Sequence, residues 1–181
     1  LSFLYKHTTK RIFFLFDPEL VHNFVTSQGE FFGKFQTLNK ILSKLFAGKS
    51  PIIKQKIAGI EFDGPIGLAA GFDYEAKVVK VLPSFGFGFN TVGTITNLPY
   101  KGNPRPMLGR LPKSKSLMVN KGFKNLGAKK TAEKLADQTF IIPLGISIGK
   151  TNTLDIKTQK SAIVDVLSAF KVFEDSNIKN L

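Results

Sequence analysis

Two periodicities divide the chain. In the first fifty residues, apolar positions recur at helical spacing. "FDPELVHNF" offers Asp17 as an N-cap and Pro18 at the first helical position, with Leu20, Val21, Phe24 and Val25 on one face. Gly29 is placed to stop that helix. A second helix carries Leu38, Ile41, Leu42 and Leu45 on one side and Lys40 and Lys44 on the other. After Gly48 the pattern changes. "IIKQKIAGIEFDGP" alternates and turns at Ala58-Gly59, which predicts a hairpin. Strand and helix patterns then take turns: strand 66–70, helix 75–82, strand 89–94, a polar, turn-rich stretch over 107–119 that fits a further hairpin, helix 126–136, strand 141–148 and helix 159–173. This β-α-β-α-β-α order predicts an α/β fold with a parallel sheet covered by helices. Three strands alone leave an open edge, so the chain is expected to be the N-terminal part of something longer.

Composition narrows the function classes. The chain has 181 residues, 43% of them hydrophobic, which suffices for one domain with a core. It has no cysteine and 2 histidines, so no disulfide framework, thiolate metal site or zinc site is expected. The 26 Lys+Arg against 13 Asp+Glu give a net charge of +13. That balance suits an anionic partner, or is a lysine-rich background; the lysines are scattered and no nucleic-acid motif is present, so no nucleic acid is expected. Residues 1–16 are too interrupted by Lys6, Lys10 and Arg11 to span a bilayer. Ile12, Phe13, Phe16, Phe31, Phe32, Phe35 and Phe46 carry more apolar area than a small helical unit can bury in itself. They either pack on the rest of the protein or face a membrane or an apolar ligand.

All three predicted core strands end on small residues, in "LAAGFD", "VGTIT" and "GISIGK". Strand C-termini are where parallel α/β folds bind their ligands. Ala70 and Gly71 let a flat ring approach the main chain, Thr94 and Ser147 offer hydroxyls, and Lys150 offers a cation. Small residues at one strand end are ordinary turn chemistry; their repetition at three points to a site. Neither a Gly-x-Gly-x-x-Gly helix opening nor a P-loop occurs.

The blocks "GPIGLAAGFD", "FGFGFNTVGTIT", "GNPRPMLGRLP", "GFKNLG" and "LGISIGK", preceded by "RIFFLFDPELVHNF", resemble in order and spacing the dihydroorotate dehydrogenases of the membrane-associated, quinone-using class. The resemblance runs from about Arg11 to the end of the chain. It implies the N-terminal part, about three βα units, of a (β/α)8 TIM barrel, with a helical extension over 1–48 and the incomplete FMN-binding barrel over 49–181. It implies oxidation of dihydroorotate to orotate in pyrimidine synthesis, with electrons passing through FMN to a quinone. The residues that match the family's flavin contacts are Ala69, Ala70, Gly71, Thr94 and Ser147. Asn120, Lys121, Gly122 and Phe123 match the substrate segment, and His22 and Arg110 match quinone-tunnel positions. The extension implies peripheral attachment to the cytoplasmic side of a membrane. No metal is implied, and the family's catalytic serine is expected beyond Leu181.

The sequence also departs from the family pattern. A lysine that commonly follows the Gly-x-Asp is replaced by Tyr74, the substrate-segment asparagine by Val119, and the third strand's asparagine by Ser147. Lys121 is the nearest candidate to supply the displaced cation, with Lys150 as the runner-up. Two alternatives stay open: a non-catalytic basic remnant that binds lipid or nucleic acid, and a barrel flavoenzyme of altered substrate.

Overall fold

Asp17 begins the first long helix as its pattern predicts. Its side chain accepts the amides of Glu19 and Leu20 at 2.8 and 3.1 Å, a cap worth about 1 kcal/mol. In the computed structural model, which describes residues 2–48, 53–136 and 138–178, the chain enters through α1 (Ser2–Leu4), a π-helical turn (Tyr5–Thr9) and α2 (Lys10–Phe14). Helices α3 (Pro18–Phe32) and α4 (Gln36–Phe46) follow. The expected domain boundary at residue 49 lies outside the described residues.

Gly29 does not stop α3; the helix runs through it to Phe32 and is capped at Gly33. The reason is contact. A Cβ on Gly29 would sit 2.8 Å from Val78 Cγ1, and one on Gly33 would sit 3.1 Å from Lys80 Cβ. These glycines let α3 lie close against the segment that follows the first core strand. The face turned to the rest of the chain is therefore Glu19, His22, Asn23, Thr26, Gly29 and Gly33, at helical spacing. Leu20 and Phe24 point outward and are 56% and 58% exposed.

The hairpin β1 (Gln55–Ile57) and β2 (Ile60–Phe62) forms as expected. The core sheet has the parallel order β3 (Gly67–Leu68), β4 (Phe89–Thr96), β7 (Leu144–Gly149). A second antiparallel hairpin, β5 (Leu108–Leu111) and β6 (Ser116–Val119), projects between β4 and β7 in sequence. Helices α5 (Ala128–Ala136) and α6 (Gln159–Glu174) complete the described elements. Val92, Ile95, Leu144, Leu135, Ala169 and Phe173 form the buried layer between sheet and helices.

Residues 75–82 are not the helix that their pattern suggests. They form turns, followed by a 3-10 helix at Leu82–Phe85. The Asp73 carboxylate takes the amides of Lys77 and Val78 at 2.7 and 3.0 Å, and Ala76 sits at φ +53°. Both features break the regular helical ladder. The first of the three expected βα units thus lacks a full α-helix. The sheet order leaves the outer edge of β7 unpaired among the described residues. Ile163, Val164, Leu167 and Phe170 form an exposed apolar stripe on α6.

Candidate functional site

The C-terminal ends of β3, β4 and β7 converge as the sequence predicts. Gly71 lies at φ +107°, and a Cβ there would meet nothing within 4 Å. Its amide still bonds Gly93 O at 2.7 Å, so the turn is fixed while its outer face is open. Gly93 lies at φ +122°, and a Cβ there would be 2.6 Å from Ser147 O. Both positions demand glycine, one for backbone shape alone and one for close approach as well. The strand register shifts between Gly93 and Ile95, making Thr94 the extra residue. Thr94 Oγ1 then meets Ser147 Oγ at 3.0 Å. Ala69 is exposed and Ala70 half-buried beside them. The result is an open ledge of backbone with two hydroxyls at its rim.

The substrate-segment candidates border this ledge. The Phe123 ring packs on Gly149, where a Cβ would lie 3.5 Å from it and 2.7 Å from Thr94 Cγ2. Asn120 Oδ1 accepts from Asn103 Nδ2 at 2.9 Å, and the Gly122 carbonyl accepts from Asn152 Nδ2 at 3.2 Å. Lys150, the second cation candidate, donates to Thr151 O at 3.1 Å. Buried Asn125 ties the segment together. It accepts the amides of Thr96 and Gly127 at 3.2 and 2.7 Å and donates to Thr96 Oγ1 and Phe123 O, both at 2.7 Å. Buried Asp165 holds the end of β7 by accepting Thr151 N at 2.7 Å and Thr151 Oγ1 at 2.9 Å.

Lys121 turns away from solvent into a cluster beneath α3. Its Nζ donates to Tyr74 Oη at 3.1 Å and lies 4.2 Å from the centre of that ring. The Tyr74 hydroxyl donates to Asn23 Oδ1 at 3.3 Å. His22 stacks on Tyr74 at 5.5 Å and meets Phe72 edge-on at 4.9 Å. Glu19, 3% exposed, faces Lys124 at 3.4 Å and Arg105 at 3.6 Å. Burial holds Lys121 below the usual lysine range, with Glu19 opposing. Burial, followed by the charges of Lys121 and Lys77, lowers His22 to about 4, so its ring is neutral at pH 7. Burial also pushes the Tyr74 hydroxyl up and raises the Asp73 carboxyl, with the two amide hydrogen bonds pulling the other way.

Arg110 is separate from this cluster. It donates from Nη1 to Phe16 O at 2.7 Å and covers the Phe14 ring at 4.5 Å. It therefore joins the second hairpin to the end of the N-terminal helices. A cavity of about 790 Å³ lies at the opposite end of the sheet, lined by Asn39, Val79, Phe87 and Ile142 among others. Its walls precede the strands rather than follow them. Among the described residues no group of three His, Asp or Glu side chains is placed to hold a metal ion, and no helix is long and apolar enough to cross a membrane.

Sequence reasoning missed Glu19, Asn23, Asp73, Asn125 and Asp165. The first two were detectable, since 19, 22, 23 and 26 share one helix face. The others join segments distant in sequence or close local turns, and leave no periodic signal.

Comparison with known proteins finds relatives in sequence and in structure. Residues 52–175 match the family described as dihydroorotate dehydrogenase. Two similar proteins are the dihydroorotate dehydrogenases (quinone) of Mycobacterium sp. (strain KMS), 38% identical over 80% of this chain and 41% of its own length, and of Rhodococcus opacus (strain B4), 35% identical over 82% and 42%. Among solved structures, ligand-free dihydroorotate dehydrogenase from Eimeria tenella superposes with a TM-score of 0.62 at 30% identity, covering 86% of this chain and 42% of that one. The same enzyme in complex with ferulenol gives a TM-score of 0.60, covering 81% and 39%. The chain thus spans about two fifths of the length of the relatives it matches.

Proposed function

The chain belongs to the dihydroorotate dehydrogenase family, and we propose that it is the N-terminal part of a quinone-dependent member that oxidises dihydroorotate to orotate. The observation that carries this reading is the ledge at the strand ends. Gly71 presents an open face, Gly93 admits a close backbone approach, and the Thr94–Ser147 hydroxyl pair sits at the rim. Such a surface fits a flat, polar-edged ring system. Ala69, Ala70, Gly71, Thr94 and Ser147 would hold FMN there. When bound, FMN supplies the two-electron chemistry that links dihydroorotate to the quinone.

The chain's own residues bind and orient. The Asn120–Phe123 segment forms the substrate side, and Lys121 supplies the positive charge that an anionic pyrimidine requires in a dry pocket. Neutral His22, beside Tyr74 and Phe72, and the Arg110 guanidinium, held apart on Phe14 and Phe16, would serve the quinone path at two separate points. The base that removes a proton from dihydroorotate is assigned to none of these residues. Residues 1–48 act as the membrane-facing extension and 49–181 as the barrel portion. Phe3, Leu4, Leu20, Phe24 and Phe31 are exposed on the helices, as an interfacial anchor on the cytoplasmic side of a membrane would need.

The test is anaerobic flavin reduction by dihydroorotate, followed by quinone addition, on the full-length protein. Reduction and reoxidation support the proposal; a flavin-free protein without turnover overturns it. One observation favours an altered substrate: Tyr74 is committed to α3 through Asn23 and His22. Related dihydropyrimidines in the same assay separate the two readings.

A further inference from the structure

The Lys121 side chain has four rotatable bonds, yet it is held in one place by contacts that lead to α3. The Tyr74 hydroxyl commits its proton to Asn23 Oδ1 and so presents a lone pair to Lys121 Nζ. Glu19 lies one helical turn earlier on the same face of α3, buried and facing Arg105 and Lys124, the latter on the segment that carries Lys121. We propose that Glu19 and Asn23 are positioning residues that set the place and the charge of the Lys121 ammonium, which makes the helical extension part of the substrate side of the site. This rests on the reading of Lys121 as the substrate-facing cation.

The electrostatics of the cluster agree. Glu19 and His22 face Lys121 from α3. Tyr74 and Glu75 face it from the loop after β3, where Lys77 faces His22, and Lys124 faces it from its own segment. Burial and Lys124 disfavour the ammonium, whereas Glu19 and Glu75 favour it. Glu75 is engaged by Lys77 at 2.7 Å. Glu19 is the larger of the two favourable influences. Removing its charge drives Lys121 toward the neutral amine. Placing a carboxylate at position 23, beside the Tyr74 hydroxyl, does the opposite.

The experiment compares Glu19→Gln, Asn23→Asp and the double variant in the full-length protein. Lys121 reactivity toward acetic anhydride is followed by mass spectrometry across pH, with and without flavin. In Glu19→Gln, Lys121 becomes reactive at lower pH; in Asn23→Asp, at higher pH; the double variant returns toward the parent. The basic limb of flavin reduction by dihydroorotate moves in the same directions. KM for dihydroorotate rises about tenfold in Glu19→Gln, the scale of one lost charged contact. General damage to the fold would move both single variants the same way and would not be reversed by combining them. Unchanged Lys121 reactivity in both single variants overturns the inference, whatever the activity. Shifted reactivity together with normal turnover of Lys121→Ala overturns the reading of Lys121 on which the inference rests, while leaving the contacts themselves in place.

Discussion

Replacing Gly71 by alanine separates the cost of backbone shape from the cost of blocking a ligand. At φ +107° an L-residue is strained, by about 1–3 kcal/mol. Sterically the protein itself raises no objection, because nothing lies within 4 Å of the added methyl. Gly59 is the matched control. It also has a positive φ, +83°, and open space around its missing side chain, but it sits in the turn of the first hairpin, between β1 and β2. Gly71→Ala and Gly59→Ala should therefore lower stability by similar amounts in urea melts of the full-length protein. Only Gly71→Ala places a methyl on the ledge. Overpacking a rigid ring by one methyl costs about 1–3 kcal/mol, which weakens FMN about 5- to 150-fold. Flavin fluorescence titration reads that difference directly. If Gly71→Ala binds FMN as tightly as Gly59→Ala does, the ledge is not the flavin face.

Three further expectations follow from single residues. Asn90 is 1% exposed and neither of its side-chain amide atoms has a hydrogen-bond partner among the described residues, so Asn90→Val should raise stability by about 1–3 kcal/mol; a lower urea midpoint at equal slope would refute this. Lys121→Ala in the full-length protein should cut dihydroorotate turnover by an amount equivalent to about 2–4 kcal/mol, and Tyr74→Lys should be tolerated; unchanged turnover and orotate affinity would end the cation assignment. His22 binds its proton less well folded, at about 4, than unfolded, at 6.5, so the unfolded chain takes up more protons between those values and stability falls as pH drops through that window; His22→Gln should flatten this slope in urea melts at pH 7 and pH 5.

The parallel sheet was legible because its strands carry strong apolar runs bounded by turns, and so were both hairpins. The strand ends were legible for a different reason: small residues recur where no core strand gains from them. Residues 75–82 misled because Val78, Val79 and Leu82 do mimic helical spacing. What decided their fate was one carboxylate, Asp73, which takes two amides and closes a turn. Periodicity does not register a single side chain that competes with the helical ladder. The strand end at Thr94 was placed two residues early, since a register shift leaves no mark in composition. Lys121 was singled out because a charge had gone missing at Tyr74, and its Nζ lies 3.1 Å from the Tyr74 hydroxyl.

Helix α3 shows a choice that the pattern leaves open. Its apolar positions mark one face that could pack inward or face outward; Leu20 and Phe24 are exposed while Glu19 is buried. The outcome has a physical logic. Burying a carboxylate is unfavourable unless cations meet it, and the residues after β6 and before β5 bring Lys124 and Arg105 to Glu19. The polar face is thus complementary to a basic surface of the same chain. Gly29 and Gly33 then bring the helix close enough for His22 and Asn23 to reach Tyr74. Once that face is used inward, the phenylalanines have nowhere to go but outward. A helix docked by charge keeps its apolar side free, and on the proposed function that side would meet a lipid surface while the polar side reaches Tyr74 and the segment of Lys121.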